Sequence, residues 1–237
     1  MNYITLTSIP LFTGISGDDL ALIMDKIELV DVELLPGETF VRSGDVCHGM
    51  AIVREGEICR TRNFRQGTFT NNRKQQAELS YTVEECIGAP LIIEPEILFG
   101  LDNRHANSWT ARTTCRLTLI GKNDIRQTLM YVPIWRINFI NMLSTHLQRA
   151  KEAVLPRPTS TEPERIVDFM LRHTSPGGRS IAFGITLEQL CHHLATNRQT
   201  LTPHLDRLVN MGVVERRRNK LIISDINRLK DLKSELT

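Results

Sequence analysis

No run of apolar residues in this 237-residue chain approaches the roughly 18 that a membrane-spanning helix needs, and nothing at its start resembles a secretory signal. The expected setting is the cytoplasm, with no membrane partner. Cysteine is scarce. Cys47, Cys59, Cys86, Cys115 and Cys191 are odd in number, widely spaced and without a Cys-x-x-Cys pair. That pattern argues against a disulfide framework or a zinc knuckle, and for a reducing compartment. Enzyme signatures are missing too: there is no glycine-rich phosphate loop, no His-Glu-x-x-His and no nucleophile elbow. His192 and His193 are adjacent, so on a helix they point about 100° apart and cannot chelate as an i, i+4 pair. The expectation is therefore not an enzyme.

Excess charge is small as well, but it is unevenly divided. The whole chain carries a net +2, with 29 Lys+Arg against 27 Asp+Glu, of which residues 157–237 hold 13 against 9. The C-terminal third is thus net +4, and the remainder, 16 against 18, is net −2. A basic surplus confined to one end expects a polyanion there and a different task for the rest.

Residues 185–224 say what that polyanion is. Leu187, Leu190 and Leu194 recur at three- and four-residue steps, with Thr186 placed as an N-cap. Ala195, Thr196 and Asn197 then form a turn. From Arg198 to Asn210 a second helix carries Leu201, Leu205 and Leu208 on one face and Gln199, Thr202, Pro203, Asp206 and Arg207 on the other. Gly212 supplies the left-handed residue that ends it. Val213-Val214 and Leu221-Ile222-Ile223 read as paired strands, with Arg216, Arg217, Arg218 and Lys220 across the turn between them. Helix, turn, helix and basic hairpin in this order outline a winged helix-turn-helix, and four cations at a hairpin tip suit a phosphate backbone.

The N-terminal part has another texture. From about residue 33 to 119, turn signals such as Pro36-Gly37-Glu38, Ser43-Gly44-Asp45 and Glu55-Gly56-Glu57 alternate with short β-prone runs, as in an antiparallel barrel or sandwich. Before them Leu20, Ile23, Met24 and Ile27 mark a helix over residues 18–27. Pro133 opens a long helix to about Val154. Ile140, Leu143, Leu147, Ala150 and Val154 step by three, four, three and four, a coiled-coil seam expected to meet a partner helix. Trp135, Phe139, Met142 and His146 form a second stripe, expected to meet the chain's own barrel. Pro156 and Pro158 then make residues 155–161 a short stiff hinge, Thr161-x-x-Glu164 is a capping-box pattern, and Ile226, Leu229 and Leu232 mark a closing helix.

With these elements in hand the chain resembles the CRP/FNR superfamily of bacterial transcription regulators over nearly its whole length. Pro10-Leu11-Phe12 with Asp18-Asp19-Leu20 is similar to that family's opening. Leu35-Pro36-Gly37-Glu38 through Gly44-Asp45 to Gly56 is similar to its first barrel hairpins, and residues 185–208 resemble its helix-turn-helix, with Arg198 opening the recognition helix. The resemblance implies an α+β chain in three parts. These are an N-terminal cyclic-nucleotide-binding-like β-roll (an antiparallel double-stranded β-helix) over residues 1–123, a dimerisation helix and hinge over 124–158, and a C-terminal winged helix-turn-helix over 159–237. It also implies a homodimer on double-stranded DNA with an inverted-repeat operator, and RNA polymerase as a further partner. Base reading falls to Arg198, Gln199, Thr200, Thr202, His204 and Arg207. Phosphate contact falls to Thr186, Asn197, Arg216, Arg217, Arg218 and Lys220.

Departures from the family matter equally. Where relatives that bind cyclic AMP carry a Gly-Glu pair and an Arg-Ser pair, the matching stretches here read as Gly88-Ala89-Pro90 and His105-Ala106, beside Arg104. A cyclic phosphate without its guanidinium loses about 1.5 to 3 kcal/mol, so the effector expected at Gly88, Ala89, Pro90, Arg104, His105 and Ala106 is not cyclic AMP. An iron-sulfur cluster needs an N-terminal group of cysteines that is missing. Haem, through His48, His105, His146 or Met50, gives an alternative reading as a gas or redox sensor. Pro203 inside the recognition helix costs around 3 kcal/mol unless the helix kinks or begins anew at Thr202-Pro203. With Asp206 exposed beside it, Pro203 also supports a third reading, a scaffold acting through protein partners.

Overall fold

The computed structural model describes residues 9–64, 80–154 and 161–236; the proline hinge expected at 155–161 falls, but for Thr161, outside them. The chain is mixed α+β and divides into two compact units, residues 1–58 with 88–155 and residues 59–87 with 156–237. The split differs from a cut at residue 159 alone, because a hairpin from the N-terminal half belongs to the C-terminal unit.

In the first unit a 3-10 turn at Pro10–Phe12 leads to helix α1 (Gly17–Met24), shorter than the 18–27 expected. Ser16 caps it, its Oγ accepting from the Asp19 amide at 3.1 Å, and Asp18 and Asp19 sit where the helix dipole favours negative charge. The β-roll follows. Strands β1 (Leu29–Leu34), β2 (Thr39–Val41) and β3 (Gly49–Glu55) are continued by the start of β4 (Glu57–Phe64) and, after β5 (Tyr81–Gly88), by β6 (Leu91–Ile93), β7 (Ser108–Ala111) and β8 (Cys115–Gly121). One antiparallel sheet runs β1-β8-β3-β6, and β2 pairs β7 through Thr39↔Thr110 and Val41↔Trp109. Gly56 stands in the left-handed region at φ 95°, and a Cβ there would run into the Thr114 carbonyl, so the β3-β4 turn needs glycine.

Helix α2 (Lys122–Gln127) and the long α3 (Pro133–Val154) close this unit. Trp135 and Phe139 stack with ring centroids 5.2 Å apart and are buried with Phe12, Leu20, Ile52, Ile120 and Leu129. The two stripes of α3 therefore diverge. Met142 is half-buried, but His146 is exposed and does not join the inner stripe as expected. Ile140 and Leu147 stand 49% and 58% exposed, and Ala150 is exposed too. Leu143, expected on the outer seam, leans instead on the unit's own core, and Ile137 (55% exposed) takes the outer face in its place. The reason is angular: at 100° per residue Leu143 lies about 60° round the helix from Ile140 on the side of Phe139 and Met142, and Ile137 about 60° round on the other side. Val154's side chain lies outside the described residues.

The second unit starts with α4 (Glu162–Leu171), whose amide at Thr161 donates to Glu164 Oε2 at 2.8 Å in the capping box read from the sequence. Strand β9 (Gly178–Gly184), which periodicity did not reveal, precedes α5 (Leu187–His193), α6 (Arg198–Asn210), β10 (Glu215–Arg217), β11 (Lys220–Ile223) and α7 (Ile226–Leu236). The sheet here runs β10-β11-β9-β5-β4, so β5 of the hairpin is the direct neighbour of β9, through Val83↔Phe183, Glu85↔Ile181 and Cys86↔Ser180. Tyr81 and Val83 lie in one buried cluster with Phe169, Phe183, Leu201, Leu205, Leu221 and Ile226. Val213-Val214 is not a strand. Both valines are buried, and their amides bond the Leu208 carbonyl at 3.1 and 3.3 Å, which commits them to the end of α6 and shifts the wing strand to 215–217. The cysteine expectation is corrected as well, since Cys59 and Cys86 form a disulfide. Spacing along the chain could not show it, because the two meet only once β4 and β5 fold back on each other.

Two polar networks sit inside this unit. Glu85, fully buried, accepts from Arg60 at 2.5 Å, from Ser175 Oγ at 3.0 Å and from the Ser175 amide. His173 donates from Nδ1 to the Phe169 carbonyl at 2.7 Å and accepts at Nε2 from the Tyr81 hydroxyl at 2.9 Å, an arrangement that needs the neutral ring. Burial lowers His173 from 6.5 to about 4 and pushes the Tyr81 hydroxyl up to about 12. Because the unfolded chain binds a proton that the folded unit refuses between those two values, His173 contributes stability fully above pH 6.5 and loses it as pH falls toward 4. Urea unfolding should lose about 2 kcal/mol between pH 7 and pH 5 from this residue alone, and His173→Gln should flatten that slope.

Candidate nucleic-acid interface

The helix-turn-helix is built from caps inward. Thr186 and Gln189 cap α5 reciprocally: the Gln189 amide donates to Thr186 Oγ1 at 3.2 Å and the Thr186 amide to Gln189 Oε1 at 2.7 Å. The chain then turns through Ala195 at φ 48°, and Asn197 caps α6 by accepting from the Thr200 amide at 2.9 Å and its hydroxyl at 3.1 Å. Thr186, Asn197 and Thr200, all expected at DNA, thus already have structural employment at the two helix starts.

On α6, Leu201, Leu205 and Leu208 are buried, which turns Arg198, Gln199, Pro203, Asp206 and Arg207 outward and leaves Thr202 and His204 half-buried. Pro203 sits in the sixth helical position of an unbroken helix, so the new start at Thr202-Pro203 is not used. One lost backbone bond is outweighed by the Asn197 cap and three buried leucines, at about 1 kcal/mol for the cap and 1.5 to 3 for each side chain. At the other end Gly212 adopts φ 68°, and Arg228 from α7 donates to the Met211 and Gly212 carbonyls at 2.9 and 3.3 Å. That second clamp was missed, and only the coincidence of a cation with the end of a helix could have suggested it.

The wing is a two-residue hairpin, with Arg217↔Lys220 flanking Arg218 and Asn219, the latter at φ 56°. Its cations are not equivalent. Arg217 pairs with Glu215 at 2.6 Å, and Arg216 with Asp206 of α6 at 3.4 Å. Asp206 is therefore no bare anion on the reading face; it ties the wing to the helix. Arg218 and Lys220 are exposed and have no ion pair among the described residues.

The expected effector residues do not come together. The Ala89 amide bonds the Gly56 carbonyl at 3.0 Å, just past one end of β3, whereas Arg104 bridges Val46 before the other end and donates to the Gly44 carbonyl at 2.8 Å. Gly88 is buried, Pro90 and Ala106 are exposed, and Ala106 lends its carbonyl to Ser43 at 3.1 Å. Only His105 joins a buried polar group, and its partner was not expected: its Nδ1 meets Glu94 at 2.7 Å, and Asn107 donates to the same carboxylate. Glu94 stands at φ 41° directly after β6, unusual for a side chain of its size. The correction has a simple source. The barrel's carboxylate follows the apolar run Leu91–Ile93 instead of preceding it. A polar cavity of about 550 Å³, lined by Glu28, Cys47, His48, Asn103, Lys122 and Asp124 among others, includes none of the six expected residues. Of the haem candidates, His48 and His146 are exposed, Met50 lies in the apolar core and His105 is engaged by Glu94. Replacing Asn197 by Ala should lower the second unit's stability by about 1 kcal/mol in a thermal melt, with Asn197→Asp restoring it.

The family model of the Crp-like helix-turn-helix domain matches residues 164–232. No curated protein matches the chain. Among solved structures, a transcriptional regulator of the crp/fnr family from Eubacterium rectale is 17% identical and superposes with a TM-score of 0.49 over 95% of this chain and 98% of its own. The Thermus thermophilus catabolite activator protein is 16% identical, with a TM-score of 0.45 over 96% of this chain and 100% of its own. DNR from Pseudomonas aeruginosa is 17% identical, with a TM-score of 0.43 over 96% of both chains. Likenesses this distant carry no argument about ligand or mechanism. The helix-turn-helix match does carry one: residues 164–232 form a Crp-like helix-turn-helix domain, the kind of module with which transcription regulators bind DNA.

Proposed function

We propose that the chain works as a cytoplasmic homodimer that reads an inverted-repeat operator, under control of a signal other than cyclic AMP taken up by its β-roll. The observation that carries the reading is α6 itself, a doubly capped helix that turns Arg198 and Gln199 to solvent at its N-terminal end beside the unpaired-in-place wing cations Arg218 and Lys220. Arg198 suits guanine O6 and N7, and Gln199 suits adenine N6 and N7. Thr202, His204 and Arg207 border the same face. Two such helices on a twofold axis would enter successive major grooves about 34 Å apart.

Support for the homodimer comes from α3, whose outer face leaves Ile137, Ile140 and Leu147 in water while Trp135 and Phe139 serve the unit's own core. Support for a different signal comes from Glu94, whose carboxylate is already satisfied by His105 and Asn107, and from the separation of Arg104 from Gly88 and Ala89 along β3. Any effector must favour one arrangement of the dimer over another, since equal affinity for both shifts nothing.

Selection from a random DNA pool should return a palindromic motif, and recovery of no preferred sequence overturns the proposal. Arg198→Ala should relax preference at one base pair by about 1 to 3 kcal/mol. Arg218→Gln or Lys220→Gln should instead weaken all sequences alike and flatten the salt slope by about 1. For the dimer, Ile140→Glu should give a folded monomer by light scattering, whereas Phe139→Ala should cost about 3 to 5 kcal/mol of stability.

A further inference from the structure

Three of the five cysteines are unbonded. Cys47, Cys115 and Cys191 are buried free thiols; burial pushes each thiol up, and Cys47 and Cys115 donate to the carbonyls of Gly49 and Glu57. A raised thiol holds little thiolate, the form that reacts. Cys59 and Cys86 are buried too, Cys59 at 9% and Cys86 at 2% exposure, but they are bonded to each other across β4 and β5.

Their neighbours give that bond a task. The next residue along β4 is Arg60 and the preceding residue on β5 is Glu85, and these two hold Ser175, in the loop before β9, in a network around the fully buried Glu85 carboxylate. Successive side chains of a strand point to opposite faces, so the disulfide and the ion pair clamp the same two strands from both sides. From there the connection to the wing is short. Cys86 lies opposite Ser180, and Glu85 opposite Ile181, on β9. Ile181 in turn faces Ile223 of β11, and Phe183 faces Leu221, one residue after the wing cation Lys220.

We propose that Cys59 and Cys86 are a reversible thiol-disulfide switch on DNA reading: closed, the bond steadies β5 against β9 and so holds the wing strands in their reading register; open, it releases them and affinity falls. The inference rests on the DNA-reading role proposed above. Two unbonded sulfurs need van der Waals separation where bonded ones do not. Reduction therefore parts β4 from β5 beside a fully buried carboxylate whose hydrogen bonds span both strands. Closure takes a two-electron oxidant, a peroxide or a small disulfide. With hydrogen peroxide, two thiols give up two hydrogens, one S–S bond forms, the O–O bond breaks and two waters leave. With a small disulfide, thiolate exchange returns two small thiols. Opening is the reverse exchange with a low-molecular-weight thiol.

The test compares the full chain treated with glutathione disulfide and with dithiothreitol, the Cys59–Cys86 bond being followed by mass spectrometry. Two readouts serve: fluorescence anisotropy on the selected duplex, and amide exchange in β9 and β11 without DNA. Reduction should weaken binding at least fivefold and speed exchange in both strands. The Cys59→Ser/Cys86→Ser double variant should stay at the reduced level under both treatments, while Cys47→Ser should respond as the parent does. A bond made and broken with no change in exchange or affinity overturns the switch, as does failure of the two sulfurs to bond under glutathione disulfide. Should exchange respond while no duplex is preferred in either state, the switch stands and the DNA reading falls. If the double variant does not fold, the parent's exchange comparison decides alone.

Discussion

Burying Glu85 is the constraint on which the second unit is arranged. A carboxylate with no exposed surface is tolerable only when its charge and its lone pairs are all met, and here Arg60 and Ser175 meet them from two different stretches of chain. Gly178 belongs to the same arrangement, since a Cβ there would come within 2.6 Å of the Glu85 oxygen. Satisfying one acid thus brings together β4, β5, the loop before β9 and the first residue of β9. The apolar cluster of Tyr81, Val83, Phe183 and Leu221 can then close over an edge that would otherwise be open to water.

The reader depends on the same logic at smaller scale. Each end of α6 is held by a side chain from outside the helix proper, Asn197 before it and Arg228 from α7 after it. Proline in its sixth position is survivable because the ends and the leucine face already fix the helix. Asp206, which by sign alone would oppose phosphate, is turned to use as the anchor of Arg216, so the helix and the wing present one surface.

Much of this was legible beforehand, and the failures have physical reasons. Local signals carried well: Thr186, Thr161 with Glu164, the leucine spacing of α6 and the left-handed Gly212 each act within a few residues, and each is where the pattern put it. Long-range pairings did not carry. Nothing along the chain says that Cys59 meets Cys86, that Arg228 reaches back to Met211, or that β9 exists to be paired with β5. Glu94 was missed for another reason. The carboxylate position was matched to Ala89, whereas the strand that delivers the buried carboxylate is β6, and a shift of a few residues relocates an entire site. The wing strand slipped by two residues because buried valines after a helix satisfy a helix end as readily as a sheet.

The partition of the hairpin has a consequence for how such a protein can be inherited. A winged reader that ends its sheet within its own sequence could be exchanged between regulators by recombination at the proline-rich joint. This one could not, because strands β4 and β5, next in its sheet after β9, are encoded far upstream, among the strands of the barrel. A crossover at that joint would leave β9 with a foreign neighbour or none. Barrel and reader are therefore bound to evolve as a pair, and a change in one hairpin is a change in both.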